Sequence, residues 1–170
     1  MTTPTPAPTV SGTGTAPGLA AHDPALPPPR PGLYLRQRPG GITAHLTASQ
    51  DTLHTVRSLA LTALLAHGVD PETAEAARLV LSELIGNAIR ACGPHVPLVV
   101  EVHRSRGTDA VVAVHDPLPD VIPRRTGIPA DSAEAESGRG LTLIDILAPG
   151  WTIVPSPIGK RICCRVRAAG

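Results

Sequence analysis

PETAEAARLVLSELIGNAIRAC, residues 71–92, is the stretch on which the reading of the fold turns. Asp70 precedes it as a capping residue, Pro71 suits the first helical position, and Glu72 complements the positive end of the helix dipole. Ala77, Leu81, Leu84, Ile85, Ala88 and Cys92 fall on one apolar stripe at helical spacing, so the stretch reads as one long amphipathic helix. Glu83 and Asn87 stand four residues apart, one turn above the other, on a line bordered by Val80, Leu84 and Ile85. A carboxylate drawn from water needs a partner, such as a bound metal's ligand or a water. On spacing alone the simpler account is a solvated Glu and Asn at the edge of the stripe, because such pairs are common on helices.

Outward from that helix, the composition narrows the classes. A chain of 170 residues has room for one domain with a real core and an appendage. The sequence has no Phe, and Tyr34 and Trp151 are its only aromatic rings of the Phe, Tyr and Trp type, so the core must be aliphatic. Aromatic stacking on single-stranded nucleic acid is therefore largely unavailable, and a formal charge of +1 supplies no broad field for a polyanion. Cys92, Cys163 and Cys164 are an odd number without metal-ligand spacing, which reads as reduced thiols. In a strand, Cys163 and Cys164 would point to opposite faces. The histidines form no zinc-binding cluster. With no secretory signal pattern and no run approaching the ~20 apolar residues of a membrane span, the expectation is a soluble, cytoplasmic protein.

Residues 1–38 are rich in Pro, Thr, Ala and Gly, a composition that cannot bury enough apolar surface to offset its ordering entropy. The expectation is a disordered tail over 1–38 and a folded domain over 39–168. Pro27-Pro28-Pro29-Arg30-Pro31 could dock on an aromatic-lined groove, although a passive tail is the simpler account. Ile42–Leu46 reads as a short strand, and Ser49 caps a helix that runs to Ala66 and stops at His67-Gly68. The short connection to the central helix suits antiparallel neighbours.

After Gly93-Pro94 the period changes. Leu98–His103 and Ala110–Val114, joined by the polar turn at 104–109, predict a hairpin and hence a sheet that is at least partly antiparallel. The second strand ends in His115-Asp116, where a carboxylate can face a ligand or start a turn. Residues 117–137 hold four prolines and one glycine, the length of a functional lid or a disordered loop. They run into Ser137-Gly138-Arg139-Gly140-Leu141 and a short helix to Leu147. Glycines at a helix start let a backbone approach a ligand, and the free N–H groups there favour phosphate. Trp151–Val154 and Arg161–Val166 read as a closing pair of strands.

In this order the elements resemble the GHKL family of ATP-binding domains found in gyrases, histidine kinases and anti-sigma serine kinases. Three boxes carry the resemblance: Leu81-Ser82-Glu83-Leu84-Ile85-Gly86-Asn87-Ala88, Val114-His115-Asp116, and Ser137-Gly138-Arg139-Gly140-Leu141. The match covers residues 42–167, and the Gly159-Lys160 pair is similar to that of the single-domain anti-sigma-like regulators abundant in actinobacteria. The resemblance implies a two-layer α/β sandwich of the Bergerat ATP-binding type, with a mixed, mainly antiparallel sheet and helices on one face. It implies ATP and Mg²⁺ as cofactors, with Glu83 as general base and Asn87 as the Mg²⁺ ligand. Asp116 would read the adenine amino group. Gly138, Arg139, Gly140, Leu141 and Lys160 complete the implied ATP site. Two positions depart from the family pattern. The adenine box runs Asp116-Pro117-Leu118-Pro119 where the family has Asp-x-Gly, and Arg161 stands where the family often has Thr. No Gly-x-x-x-x-Gly-Lys-Ser/Thr run exists, so the site is not a P-loop.

The function implied is an anti-sigma-type serine/threonine kinase that passes the ATP γ-phosphate to a protein partner, a sigma factor or an anti-anti-sigma-like protein, with homodimerisation expected from the family. The alternative is a non-catalytic regulator in which nucleotide shapes a partner surface. Neither a membrane nor a nucleic acid is an expected partner.

Overall fold

The computed structural model describes residues 23–123 and 135–168, the side chains of 135–139 apart. In chain order the elements are β1 (Leu33–Arg38), β2 (Gly41–Thr47), α1 (Gln50–Ala66), α2 (Pro71–Cys92), β3 (Pro97–Arg104), β4 (Ala110–Asp116), α3 (Ala135–Leu147), β5 (Thr152–Ser156) and β6 (Gly159–Val166). The strands form one six-stranded sheet in the order β1-β2-β3-β4-β6-β5. Helix α2 lies over β4 and β6, α1 lies over β2 and β3, and α3 packs on α2. The result is a two-layer α/β sandwich.

Both long helices start where their caps place them. Ser49 Oγ accepts from the Thr52 N–H at 3.2 Å, and Thr52 Oγ1 accepts from the Ser49 N–H at 3.0 Å. Asp70 Oδ1 accepts from the Thr73 N–H at 2.9 Å, with Pro71 in the first turn. The Thr73 bond holds the Asp70 carboxyl below its ordinary range. Leu81, Leu84, Ile85 and Ala88 of α2 are buried, and they meet Val100, Val112, Val114 and Ile162 from the inner face of the sheet. The core is aliphatic, as the missing Phe requires. Cys164 is in that core and Cys163 is not. Burial pushes the Cys164 thiol up to about 12.

Three expectations change. The folded part begins earlier than residue 39. Strand β1 pairs with β2 from Leu33↔Leu46 to Arg38↔Gly41, and Leu33 is buried in the core. Ahead of it, Arg30 reaches Asp51 at 2.8 Å and Thr55 at 2.9 Å, so this arginine of the proline run is tied to α1. Residues 1–22 of the expected tail lie outside the described residues.

The sheet is also antiparallel throughout rather than mixed. Strands β4 and β5, joined through α3, run the same way, but β6 inserts between them and pairs antiparallel with both. Finally, α3 begins at Ala135, so Ser137, Gly138 and Gly140 lie inside the helix rather than before it. Ala135 and Glu136 are good helix formers and extend it one turn toward the N-terminus. Most of the long segment before it, residues 124–134, lies outside the described residues.

Candidate functional site

A cavity of about 270 Å³ opens between α2, the segment after β4, and the start of β6. Ala88, Leu141, Val121, Ile122 and Ile162 give it apolar walls, and Asn87, Arg90, Asp116 and Lys160 are its polar groups. A concave apolar slot with a few convergent polar groups is the usual form of a small-molecule site.

Asp116 and Lys160 come together because they are register partners across β4 and β6, on the helix-covered side of the sheet. Each side chain is only 3% exposed, and Lys160 Nζ lies 2.7 Å from Asp116 Oδ1. The ammonium also donates to the Leu118 carbonyl at 2.7 Å. The Leu118 N–H donates to Asp116 Oδ1 at 3.0 Å, and the Cys92 thiol lies 4.0 Å from the same oxygen. Burial and the nearby Asp116 charge raise the Cys92 thiol pKa, which keeps it protonated and able to donate. A buried carboxylate without a cation would be costly, and Lys160 offsets part of that cost.

Asn87 lines the cavity one turn along α2 from Glu83. Its Oδ1 accepts from Arg90 Nη2, while its Nδ2 is buried with no partner. Arg90 folds back over Gly86, where a β-carbon would lie 3.3 Å from Arg90 Nη1. Glu83 does not line the cavity. It sits beside it, against α3: a β-carbon on Gly140 would lie 2.2 Å from Glu83 Oε2. The missing side chain at position 140 is therefore the space that the carboxylate occupies. As the sixth residue of α3, Gly140 has its own N–H inside the helical ladder, whereas Gly138 is among the first four, whose N–H groups have no helical acceptor. Leu141 is buried against the cavity, and the Arg139 side chain lies outside what is described.

The model of the histidine kinase-like ATPase domain matches residues 46–163. The chain belongs to that family. Comparison with curated proteins and with solved structures finds no match. Family membership supports nucleotide binding and a regulatory role at the level of ATP, the nucleotide these ATPase domains bind, generally with Mg²⁺. No helix among the described residues is long and apolar enough to cross a membrane.

The fit to a metal rests on Asn87. Its amide oxygen is a hard donor of the kind Mg²⁺ takes, and Asn87 lines the cavity, but Arg90 holds that oxygen. Arg90 is exposed, so swinging it away costs little packing. Among the described residues no group of three or more His, Cys, Asp or Glu is arranged to hold a metal. Most of an ion's ligands would therefore come from phosphate and water, as is usual for Mg²⁺.

The site of this ATPase domain also contains groups that sequence reasoning overlooked. Arg90 was detectable, because i and i+3 on a helix are neighbours and Asn87-x-x-Arg90 is in plain sight. The bond between Lys160 and Asp116 was not, since it joins residues 44 apart in the chain. Arg161 faces the other side of the sheet, where its Nη2 bonds Glu101 Oε2 at 2.8 Å, so this departure from the family pattern leaves the cavity unaffected.

Proposed function

We propose that this chain is an ATP-dependent serine/threonine protein kinase of the anti-sigma type, acting on a partner protein in the cytoplasm. The observation that carries the proposal is the Glu83 carboxylate over Gly140, at the junction of α2 and the glycine-bearing helix. Glu83 makes no hydrogen bond among the described residues, so it is available as a proton acceptor. In this reading Asp116 and Lys160 hold the base, Leu141 and Ala88 enclose it, and the N-terminal turn of α3 at Gly138, with Arg139, faces the phosphates. Mg²⁺, bound in part by Asn87, would neutralise phosphate charge when present. Glu83 takes the proton of a partner's hydroxyl as that oxygen bonds to the γ-phosphorus and ADP departs.

A non-catalytic reading is favoured by a different observation: the chain's own cations hold both expected nucleotide anchors, Arg90 at Asn87 and Lys160 at Asp116. In that reading nucleotide displaces internal contacts and reshapes the surface around 117–123, with no transfer of phosphate.

Calorimetric titration of ATP with Mg²⁺, followed by phosphate transfer to proteins captured from a lysate in the presence of ATP, separates the two. The kinase reading expects saturable ATP binding, weakened in Asn87→Ala. It also expects transfer that falls about 100-fold or more in Glu83→Gln while ATP affinity is retained. ATP binding with partner capture but equal labelling in wild type and Glu83→Gln leaves the regulator. Absence of ATP binding at millimolar nucleotide removes both.

A further inference from the structure

Of the 15 Lys and Arg residues in the chain, Lys160 is the only lysine. The more exposed carboxylates of Asp51, Glu75 and Glu101 each take an arginine. The buried carboxylate of Asp116 takes the ammonium instead, at 2.7 Å. The two cations differ in shape. A guanidinium spreads its donors in one plane, whereas an ammonium is compact and fans three N–H groups around one atom. Two of those on Lys160 are used, on Asp116 and on the Leu118 carbonyl, and no third acceptor is found among the described residues. Asp116 is also only partly used. Its Oδ1 takes Lys160 Nζ, the Leu118 N–H and the Cys92 thiol, while Oδ2 accepts from none of the described residues. Both side chains line the cavity, so a ligand there meets one acceptor beside one donor, between apolar walls.

From this arrangement, and resting on the nucleotide-binding reading above, we infer that Lys160 is a base-specificity residue. It donates its third N–H to ring N1 of adenine while Asp116 accepts from the neighbouring amino group. The order of the pair matters. Adenine carries a donor at position 6 and an acceptor at N1, the complement of a carboxylate beside an ammonium. A 6-oxopurine carries the two in reverse, so its O6 meets the carboxylate and its N1–H meets the ammonium. Asp116 alone would oppose only the first of these. Lys160 opposes the second as well, and it adds a charge-assisted hydrogen bond to the adenine complex. Its bonds to Asp116 and to the Leu118 carbonyl hold the ammonium in place before any nucleotide arrives, which lowers the cost of making that contact.

The test is titration of wild type and Lys160→Met with ATP and 1-deaza-ATP, in which a C–H replaces N1 and the amino group is kept. Wild type should bind 1-deaza-ATP about tenfold or more weakly than ATP, the loss expected for one hydrogen bond to a charged group. In Lys160→Met the two should bind within about twofold of each other. If that variant does not fold, the single lysine makes wild type decisive, because protein labelled with [15N]lysine carries one ammonium signal. ATP should shift that signal by a step that 1-deaza-ATP does not reproduce. Equal binding of ATP and 1-deaza-ATP by wild type, an unchanged ratio in Lys160→Met, or equal shifts of the ammonium signal overturns the inference and leaves nucleotide binding intact. Failure of wild type to bind ATP removes the nucleotide reading and this inference with it.

Discussion

Two acids on neighbouring strands find cations in opposite surroundings. Asp116 on β4 faces the helices and meets Lys160 where both side chains are only 3% exposed. Glu101 on β3 faces the open side of the sheet and meets Arg38 at 3.0 Å and Arg161 at 2.8 Å, with its side chain 22% exposed. The two clusters are one residue apart in register, since His115 opposes Arg161 and Asp116 opposes Lys160. The pleat alone sends one pair to each face. On the covered face the pair stands among apolar walls and can present polar groups to a ligand. On the open face the charges share a part-exposed network, and His115 Nε2 lies 3.6 Å from Glu101 Oε1 at its edge. The same chemistry thus serves a site on one side and a surface on the other, and the environment makes the difference.

The sharpest way to break this comparison is to unpair each acid. Lys160→Met leaves Asp116 as a buried, uncompensated charge and should cost about 3–5 kcal/mol in urea denaturation. Adding Asp116→Leu should restore most of that loss, because an apolar pair can fill the same space. A loss below about 1 kcal/mol in Lys160→Met would mean that water reaches Asp116 and that the two faces are not so different. The corresponding change on the open face, Glu101→Gln, should cost about 1 kcal/mol or less, since its partners are substantially solvated.

Gly140→Ala sharpens the comparison at the rim of the cavity. The added methyl group enters the space of the Glu83 carboxylate, the far end of a flexible side chain, so Glu83 swings aside. Helix propensity meanwhile gains up to about 1 kcal/mol. Thermal unfolding should change little or improve, while phosphate transfer falls about tenfold or more. An equally active variant would detach Glu83 from the chemistry.

The smallest effect is in pH dependence. Burial, followed by neighbouring charges, holds the His103 and His115 imidazoles below their ordinary range, although Glu101 pulls them upward. Below about pH 6.5 the unfolded chain takes up these protons before the folded one does, so stability should fall as pH drops from there. Burial raises the Glu101 carboxyl, but Arg161 and Arg38 outweigh it and leave the group below its ordinary range. Its contribution is therefore present above the usual Glu pKa and is lost at still lower pH, as the folded group protonates. Replacing both histidines with Gln should flatten the upper part of the curve and leave the lower part unchanged. Denaturant midpoints across pH 4–7 would check both.

Much of the molecule was legible because the information is local. Ser49 and Asp70 cap their helices through bonds that span three residues, and the α2 stripe repeats within one turn. β3 and β4 declare themselves through β-branched runs on either side of a polar turn. The Glu83, Asn87 and Asp116 positions followed from short boxes whose order along the chain carries the family resemblance. Strand β1 was not legible, because Leu-Tyr-Leu-Arg-Gln-Arg after a proline-rich run lacks a strong pattern and becomes a strand through its pairing with β2. The start of α3 was misplaced because glycines usually mark helix ends, whereas here Gly140 clears space for a side chain on another helix.

What the sequence determined by itself was most of the elements and the family, since caps, periodicity and short motifs act over a few residues. What only the tertiary structure decided was which of those residues meet. Lys160 lies on Asp116, Arg161 lies on the far face with Glu101, and Glu83 lies against Gly140. These contacts join positions 44, 60 and 57 residues apart, and strand register and helix packing, which no local pattern encodes, bring them together.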